Sequence, residues 1–280
     1  MVRRAVIENW AEAVAGICRE AGEAILGVYN SDDIELTTKA DESPLTAADM
    51  ASHQIILDRL AELTPRIPIL SEESEQLSYA TRSSWRTYWL VDPLDGTKEF
   101  VSRNGEFTVN IALIDDGVPT LGAVYLPIKD ELYLGVQGEQ HLASKQVGDH
   151  APQTIHVRAL QERLDQDLPV TVVASRRHGS DALEDCLRKL GKCFDRVETT
   201  NMGSSLKICR VAEGKADLYP RLAPTCEWDT AAAQAVVEAA GGCLVDTQFR
   251  PMRYNRKEEL LNPHFLVIGD MRFDWQSVLA

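Results

Sequence analysis

The run Trp89-Leu90-Val91-Asp92-Pro93-Leu94-Asp95-Gly96-Thr97 places two carboxylates, a glycine and a hydroxyl directly after a short apolar stretch. Proline cannot donate to a β ladder, so the strand is expected to stop at Asp92. Asp92 and Asp95 would then project from a tight turn, and Gly96 would let the backbone approach a ligand closely. Hard oxygen donors on a rigid turn suit Mg²⁺, which takes carboxylates, waters and substrate phosphates. A plain polar turn would use the same residue types, since Asp-Gly and proline-containing turns are common.

Further acidic positions fall at expected element boundaries: Asp49 in a helix, Glu72-Glu73 after a strand, and Asp229 before a helix. Taken singly, each has an ordinary explanation. Asp49 could be an exposed first-turn residue answering the helix dipole. Glu72 and Glu73 could belong to a solvated acidic loop, and Asp229 could be an N-cap. Their joint order along the chain is what the ordinary explanations leave out.

The elements that must position these residues are legible from periodicity. Trp10, Val14, Ile17, Ala21, Ile25 and Val28 recur at helical spacing, which predicts an amphipathic helix over Val6–Tyr29. A strand or loop is expected around Ile34-Glu35-Leu36, then a second helix over Ala47–Leu63 that stops at Pro65. Short strands are expected at Ile67–Leu70 and Tyr88–Val91. Thr108–Ile114 and Thr120–Leu126 form a hairpin across Asp115-Asp116-Gly117, with further strands at Glu131–Val136 and His141–Ala143. The second half alternates. Strands are expected at Val170–Ala174, Arg196–Glu198, Ala216–Tyr219, Cys243–Val245 and Phe265–Ile268. Helices are expected at Asp181–Leu190, Ser204–Glu213 and Thr230–Ala240, the last closed by Gly241-Gly242. This reads as an N-terminal α+β half, residues 1–150, carrying the acidic turn. An α/β half, residues 151–280, completes the site, with the boundary near Ala151-Pro152.

Composition sets limits. A chain of 280 residues can bury a substantial core, and 44% hydrophobic with 26% charged residues is ordinary for a globular protein. A net charge of −14 argues against a groove for polymeric nucleic acid but not against a small phosphorylated molecule met by bound cations. The six cysteines are scattered without a C-x-x-C pair, as expected of small buried residues in a reducing compartment. No signal peptide and no integral membrane segment is visible, so the cytoplasm is expected.

The ordered pattern Asp49…Glu72-Glu73…Asp92-Pro-Leu-Asp95-Gly-Thr97…Trp228-Asp229-x-Ala-Ala resembles the signature of the lithium-sensitive, magnesium-dependent phosphomonoesterases. These include inositol monophosphatases, fructose-1,6-bisphosphatases and 3′(2′),5′-bisphosphate nucleotidases. The resemblance runs from the first helix to the last strand. It implies a layered α-β-α-β-α sandwich of the inositol monophosphatase/fructose-1,6-bisphosphatase type. It also gives the acids a reason to converge: two unit charges about 4 Å apart repel by about 4 kcal/mol at an effective dielectric near 20. Two divalent ions roughly 3.5–4 Å apart can clamp the attacking and leaving oxygens of an in-line displacement.

Carried over by resemblance, Glu72, Asp92 and the Leu94 carbonyl hold a first Mg²⁺, and Asp92, Asp95 and Asp229 a second. Glu73 serves a third, weaker ion through water. Gly96 and Thr97 offer backbone N–H groups to the phosphate. Thr97 and Asp49 orient and deprotonate the attacking water, so no phosphoenzyme is expected, and Glu72, Leu94, Asp95 and Asp229 also border the substrate. Haloacid-dehalogenase-type phosphatases, which use Asp-x-Asp-Gly-Thr, are excluded because Pro93 and Leu94 separate these aspartates.

The stretches Tyr88–Val91, Lys98–Phe100, Arg103–Asn110, Gly203–Lys207, Leu218–Arg221 and Leu261–Pro263 resemble the bacterial bisphosphate nucleotidases more than the inositol phosphatases. The resemblance implies hydrolysis of adenosine 3′,5′-bisphosphate to AMP and phosphate, with 3′-phosphoadenylyl sulfate a second substrate. A second anion site is expected from Lys207 and Arg221, assisted by Ser204. Each of the two cations could instead be a solvated surface residue. The run Ser175-Arg176-Arg177-His178 could bring Ser175 and His178 to the base or sugar, although a lone histidine is often incidental. An inositol or sugar phosphatase with the same metal site is the nearest rival, and a catalytically silent nucleotide-binding regulator the more distant one. A peripheral association with the cytoplasmic face of the inner membrane also comes with the resemblance, but no amphipathic basic helix argues for it. Oligomeric state has no signature in the chain.

Overall fold

The computed structural model describes residues 4–31, 36–38, 44–75, 77–138, 141–175 and 181–279. Helix α1 (Arg4–Tyr29) buries Ala11, Val14, Cys18, Ala21 and Ile25, an alternating three- and four-residue stripe that faces a partner along its whole length. It packs on helix α2 (Ala47–Leu63), whose bounds match the expectation. Between them β1 (Leu36–Thr38) pairs with β2 (Pro44–Thr46). Thr46 is the N-cap of α2 and Asp49 returns to it, a reciprocal capping box that fixes where the helix starts.

Next come β3 (Ile69–Ser71), α3 (Tyr79–Arg82), β4 (Thr87–Asp95), α4 (Thr97–Val101), β5 (Thr108–Asp115), β6 (Val118–Leu126), β7 (Glu131–Val136), β8 (Leu142–Val147) and β9 (Gln153–Thr154). Then follow α5 (Leu160–Asp165), β10 (Val170–Ser175), α6 (Asp181–Cys193), β11 (Val197–Met202), α7 (Leu206–Ala212), β12 (Leu218–Arg221) and α8 (Ala231–Ala239). The chain closes with β13 (Cys243–Asp246), β14 (Phe265–Ile268) and α9 (Trp275–Leu279). Over the described residues a seven-stranded sheet runs β3-β4-β5-β6-β7-β8-β9, and a five-stranded sheet runs β11-β10-β12-β14-β13. The first is antiparallel except for β3 beside β4; in the second, β10 lies parallel to β11 and β12 while β14 is antiparallel to both its neighbours.

Two-residue alternation decides which layer each side chain joins. Trp89 and Val91 pack with α1 and α2, whereas Tyr88 and Leu90 pack with α7, α8 and the five-stranded sheet. The far face of that sheet carries α5, α6 and α9, through Val170, Val172, Leu190, Phe194 and Trp275. The layers therefore run α-β-α-β-α, as expected. Helix α8 can lie directly on the large sheet because Gly122 and Gly135 stand beneath it. A Cβ at Gly122 would come within 2.1 Å of the Ala232 carbonyl oxygen.

Some expectations need correction. β4 does not stop at Asp92: Asp92 pairs with Asn110 and Asp95 with Thr108, so one extra residue on β4 is absorbed as a bulge containing Pro93 and Leu94. A bulge is a place in a ladder where a missing N–H costs little. Helix α7 starts at Leu206, not Ser204, because Ser204 adopts a left-handed φ of 47°. Strand β8 runs on to Val147 and β11 to Met202. Cys193 is exposed, unlike the buried Cys18, Cys186 and Cys209. None of the described helices is long and apolar enough to cross a membrane.

Candidate active site

The bulge turns Asp92 and Asp95 toward the same space. There they meet Asp229, which reaches in from the single helical turn before α8. One carboxylate oxygen from each of the three lies within 4.8 Å of the others. Asp229 is not the N-cap of α8, a place taken by Thr230; its Oδ2 instead accepts from the Cys226 N–H at 2.8 Å, which aims the side chain. Asp92 is almost wholly buried, and its Oδ1 accepts from the Leu94 N–H at 3.1 Å. Its Oδ2 finds no donor among the described residues.

Such an arrangement is expensive without a counter-charge. Burial, then the charges of Glu72, Asp95 and Asp229, push the Asp92 carboxyl well above the usual carboxylate range. Burial raises Asp229 in the same way, reinforced by Asp95 and Glu72. Glu72 follows β3 and is anchored by its N–H to the Val91 carbonyl, which sets it beside Asp92. It lies outside the tight triad but within its field. An all-carboxylate donor set with one buried, undonated oxygen fits a hard divalent cation better than a soft one.

Asp49 is buried, not an exposed first-turn residue, with 1% of its surface accessible. Its Oδ2 accepts from the Thr46 N–H at 2.8 Å and from the Thr46 hydroxyl at 2.5 Å. Its Oδ1 accepts from the Thr97 hydroxyl at 3.3 Å, so the expected hydroxyl–carboxylate pair is formed. Gly96 holds φ 96° between β4 and α4, a left-handed conformation that its lack of a side chain makes accessible. The bulge is also tied to α2, since the Ser52 hydroxyl donates to the Pro93 carbonyl at 2.7 Å. Glu73 follows Glu72 in the turn after β3 and is half-buried.

An open cleft of about 140 Å³ adjoins the triad. Asp95, Gly96, Ser204, Lys207, Arg221 and Asp229 all line it, so residues from both halves of the chain share one wall. Lys207 is no solvated surface lysine. It is buried, donates to the Ser204 carbonyl at 2.6 Å and stands 5.6 Å over the Tyr219 ring. Burial lowers its ammonium to about 8, opposed by the nearby Asp95 charge. Arg221 is half-buried: its Nη2 donates to the Pro224 carbonyl, and its buried Nε has no acceptor among the described residues. His178 and the Ser175 side chain lie outside the described residues.

Sequence reasoning assigned no role to Asn110 and Ser205, which stand against Asp95. The signal was present: Asn110 is the polar residue inside the apolar run Val109-Asn110-Ile111-Ala112-Leu113-Ile114 of a central strand.

The description of the inositol monophosphatase family matches residues 7–271. The 3′(2′),5′-bisphosphate nucleotidase CysQ of Escherichia coli K12 is 47% identical over 257 residues, covering 91% of this chain and 98% of that protein. Its counterpart from Salmonella typhimurium is 47% identical over the same span. Among solved structures, CysQ from Bacteroides thetaiotaomicron, described as a bacterial member of the inositol monophosphatase family, superposes with a TM-score of 0.78. It shares 44% identity and covers 93% of this chain and 97% of its own. The layered fold, the convergent acids and these relationships together place the chain in the inositol monophosphatase family.

Proposed function

We propose that this protein is a Mg²⁺-dependent phosphomonoesterase that removes the 3′-phosphate of adenosine 3′,5′-bisphosphate, giving AMP and inorganic phosphate. One observation carries the reading: Asp95 and Asp229 of the acid triad line the same cleft as Lys207 and Arg221. A hydrolytic site for one phosphate therefore stands beside a cationic site for another. The names of the CysQ relatives support the substrate.

In this reading Glu72, Asp92 and the Leu94 carbonyl hold one Mg²⁺, Asp92, Asp95 and Asp229 a second, and Glu73 a third through water. When bound, the cations supply the positive charge against which water can attack the phosphate. The chain's own residues do the rest. Gly96 and Thr97 open α4 and present N–H groups to the phosphate oxygens. The Thr97 hydroxyl donates its hydrogen bond to Asp49, so its lone pairs are free to accept from the attacking water. Asp49, fixed by its two bonds to Thr46, is the eventual proton acceptor. The water oxygen bonds to phosphorus, the bond from phosphorus to the ribose 3′ oxygen breaks, and that oxygen takes up one proton from solvent water, balanced by the one the attacking water gave up to Asp49. Lys207, with Ser204 and Arg221, faces the 5′-phosphate, a charge-assisted contact in a partly desolvated cleft. Residues 1–150 thus carry most of the hydrolytic machinery, and residues 151–280 complete it with Asp229 and select the substrate. Such an enzyme would act in the cytoplasm.

The test compares phosphate release from adenosine 3′,5′-bisphosphate, inositol 1-phosphate and fructose 1,6-bisphosphate at equal concentration with Mg²⁺. The bisphosphate nucleotide should have the highest kcat/KM. A preference for inositol 1-phosphate would overturn the substrate assignment and leave the site chemistry standing.

A further inference from the structure

Asp95 is held by donors from both halves of the chain, Asn110 on β5 and Ser205 in the turn before α7. Its Oδ2 accepts from the Ser205 N–H at 2.5 Å and from the Asn110 side-chain amide at 3.4 Å. Both donors converge on a single oxygen, which leaves Oδ1 as the atom free to turn toward Asp92 and Asp229. Asn110 could serve this role in only one of its two amide orientations, because only the NH₂ end can donate.

The ionised Asp95 carboxylate only accepts, so the NH₂ end of Asn110 faces it, and the Ser205 hydroxyl donates to the Asn110 amide oxygen at 2.8 Å on the other side. With the Ser205 proton committed there, the Thr108 hydroxyl, 2.9 Å away, donates to the Ser205 oxygen. The bonds form one directed chain: Thr108 to Ser205, Ser205 to Asn110, Asn110 to Asp95. Thr108, Asn110 and Ser205 are all buried, so water does not offer a substitute partner. Thr108 and Asn110 belong to β5, opposite Asp95 and Asp92 respectively, and the bulge in β4 is what brings Asp95 into reach of both. Ser205 comes from the turn before α7, the same turn whose Ser204 carbonyl holds Lys207.

From this geometry we propose that Ser205 and Asn110 are positioning residues for the metal centre: they fix which oxygen of Asp95 faces the cations and tie that orientation to the turn that presents Ser204 and Lys207. The proposal rests on the functional reading above. It also explains why the apolar run Val109–Ile114 carries an asparagine. Partners that orient a ligating carboxylate typically change metal affinity by about 10- to 100-fold when removed.

The experiment titrates Mg²⁺ alone into the full-length protein by isothermal calorimetry, for wild type, Ser205→Ala, Ser205→Thr, Asn110→Ala and Asp95→Asn. It also follows kcat for adenosine 3′,5′-bisphosphate as a function of Mg²⁺ concentration. Ser205→Ala and Asn110→Ala should weaken Mg²⁺ binding by about tenfold. Their kcat should recover at high Mg²⁺, with KM for the nucleotide within about twofold of wild type, and Ser205→Thr should restore affinity. Mg²⁺ affinity in Ser205→Ala equal to wild type would overturn the proposal, as would a loss of kcat that excess Mg²⁺ does not recover. Ser205→Ala removes one atom and leaves the Ser205 N–H in place, so it decides the matter even if Asn110→Ala does not fold. If wild type binds no Mg²⁺, or Asp95→Asn binds it as wild type does, the metal reading itself fails, which is a separate outcome.

Discussion

Replacing Asp92 by asparagine should stabilise the metal-free protein and abolish its response to Mg²⁺. Asp92, Asp95 and Asp229 have carboxylate oxygens within 4.8 Å of one another. At that separation each pair of full charges repels by about 3.5 kcal/mol at an effective dielectric near 20. Proton uptake at the raised carboxyls relieves part of this, so the saving on removing one charge is about 2 kcal/mol near neutral pH. Asparagine keeps the bond from the Leu94 N–H and can put a donor where Oδ2 now has none. For 280 residues the unfolding entropy is about 0.6 kcal/mol/K, so the metal-free Tm should rise by about 3 °C. Wild type should gain about 2.7 kcal/mol, or about 5 °C, from Mg²⁺ at a hundred times its Kd, and the variant almost nothing.

The pH dependence has a definite sign. The folded-state pKa of Asp92 is raised above the ordinary value of 3.8, so its protonated form stabilises the metal-free fold below that value. That stability is lost as pH rises through the raised pKa. The gap between variant and wild type should therefore widen in EDTA as pH rises above the ordinary value and through the raised one, and narrow on acidification. Calorimetry with EDTA or Mg²⁺ across this range is the assay. A variant that melts below wild type in EDTA, or keeps the Mg²⁺ shift, would refute the account of a crowded acid triad awaiting a cation.

Other expectations are more local. Asp229→Asn should abolish turnover with adenosine 3′,5′-bisphosphate while unfolding stays cooperative; near-normal kcat would rule out Asp229 as part of the hydrolytic site. Lys207→Ala should raise KM for the 3′,5′-bisphosphate by about tenfold or more, the worth of a charge-assisted bond, and affect a 3′-monophosphate little; equal effects on both would remove Lys207 from the 5′-phosphate. Gly122→Ala should lower stability by about 1–3 kcal/mol in urea unfolding, because its Cβ would press on the Ala232 carbonyl; an unchanged midpoint would mean that α8 can lift freely from the sheet. Asp270, held at about 2 by its bonds to Arg272, also accepts from the Leu160 N–H at the start of α5. Asp270→Asn should cost about 1 kcal/mol above pH 4 through the weakened cap, and the difference should fade as wild type is acidified through about pH 2.

The clearest sequence signals were those written locally. The α2 bounds follow from Thr46, Asp49 and Pro65, all within reach of one helix and its ends, and they match the structure residue for residue. The order of Glu72, Asp92, Asp95 and Asp229 was enough to expect one site from distant segments. Readings that failed did so where a residue's neighbours come from elsewhere in the chain. Pro93 stops a regular strand, but Asn110 and Thr108 pair on either side of it, so β4 continues through a bulge. Lys207 on its own reads equally well as a solvated helix residue; the ring of Tyr219 and the carbonyl of Ser204 make it a buried cation. Asp49 reads as a first-turn acid answering a dipole until Thr97, far along the chain, is seen to donate to it.

The sequence by itself determined the chemical types available and the order in which they occur: oxygen donors at element ends, a glycine beside them, and cations in the second half. Those are properties of residues and their near neighbours, where steric and hydrogen-bonding preferences act over a few bonds. Only the tertiary structure decided which oxygen of each carboxylate is occupied and which is open. It also decided that Ser205 and Asn110 act together on Asp95, and that Lys207 loses its water. Burial and the direction of a hydrogen bond depend on what the rest of the chain brings into contact, and no local stretch contains that information.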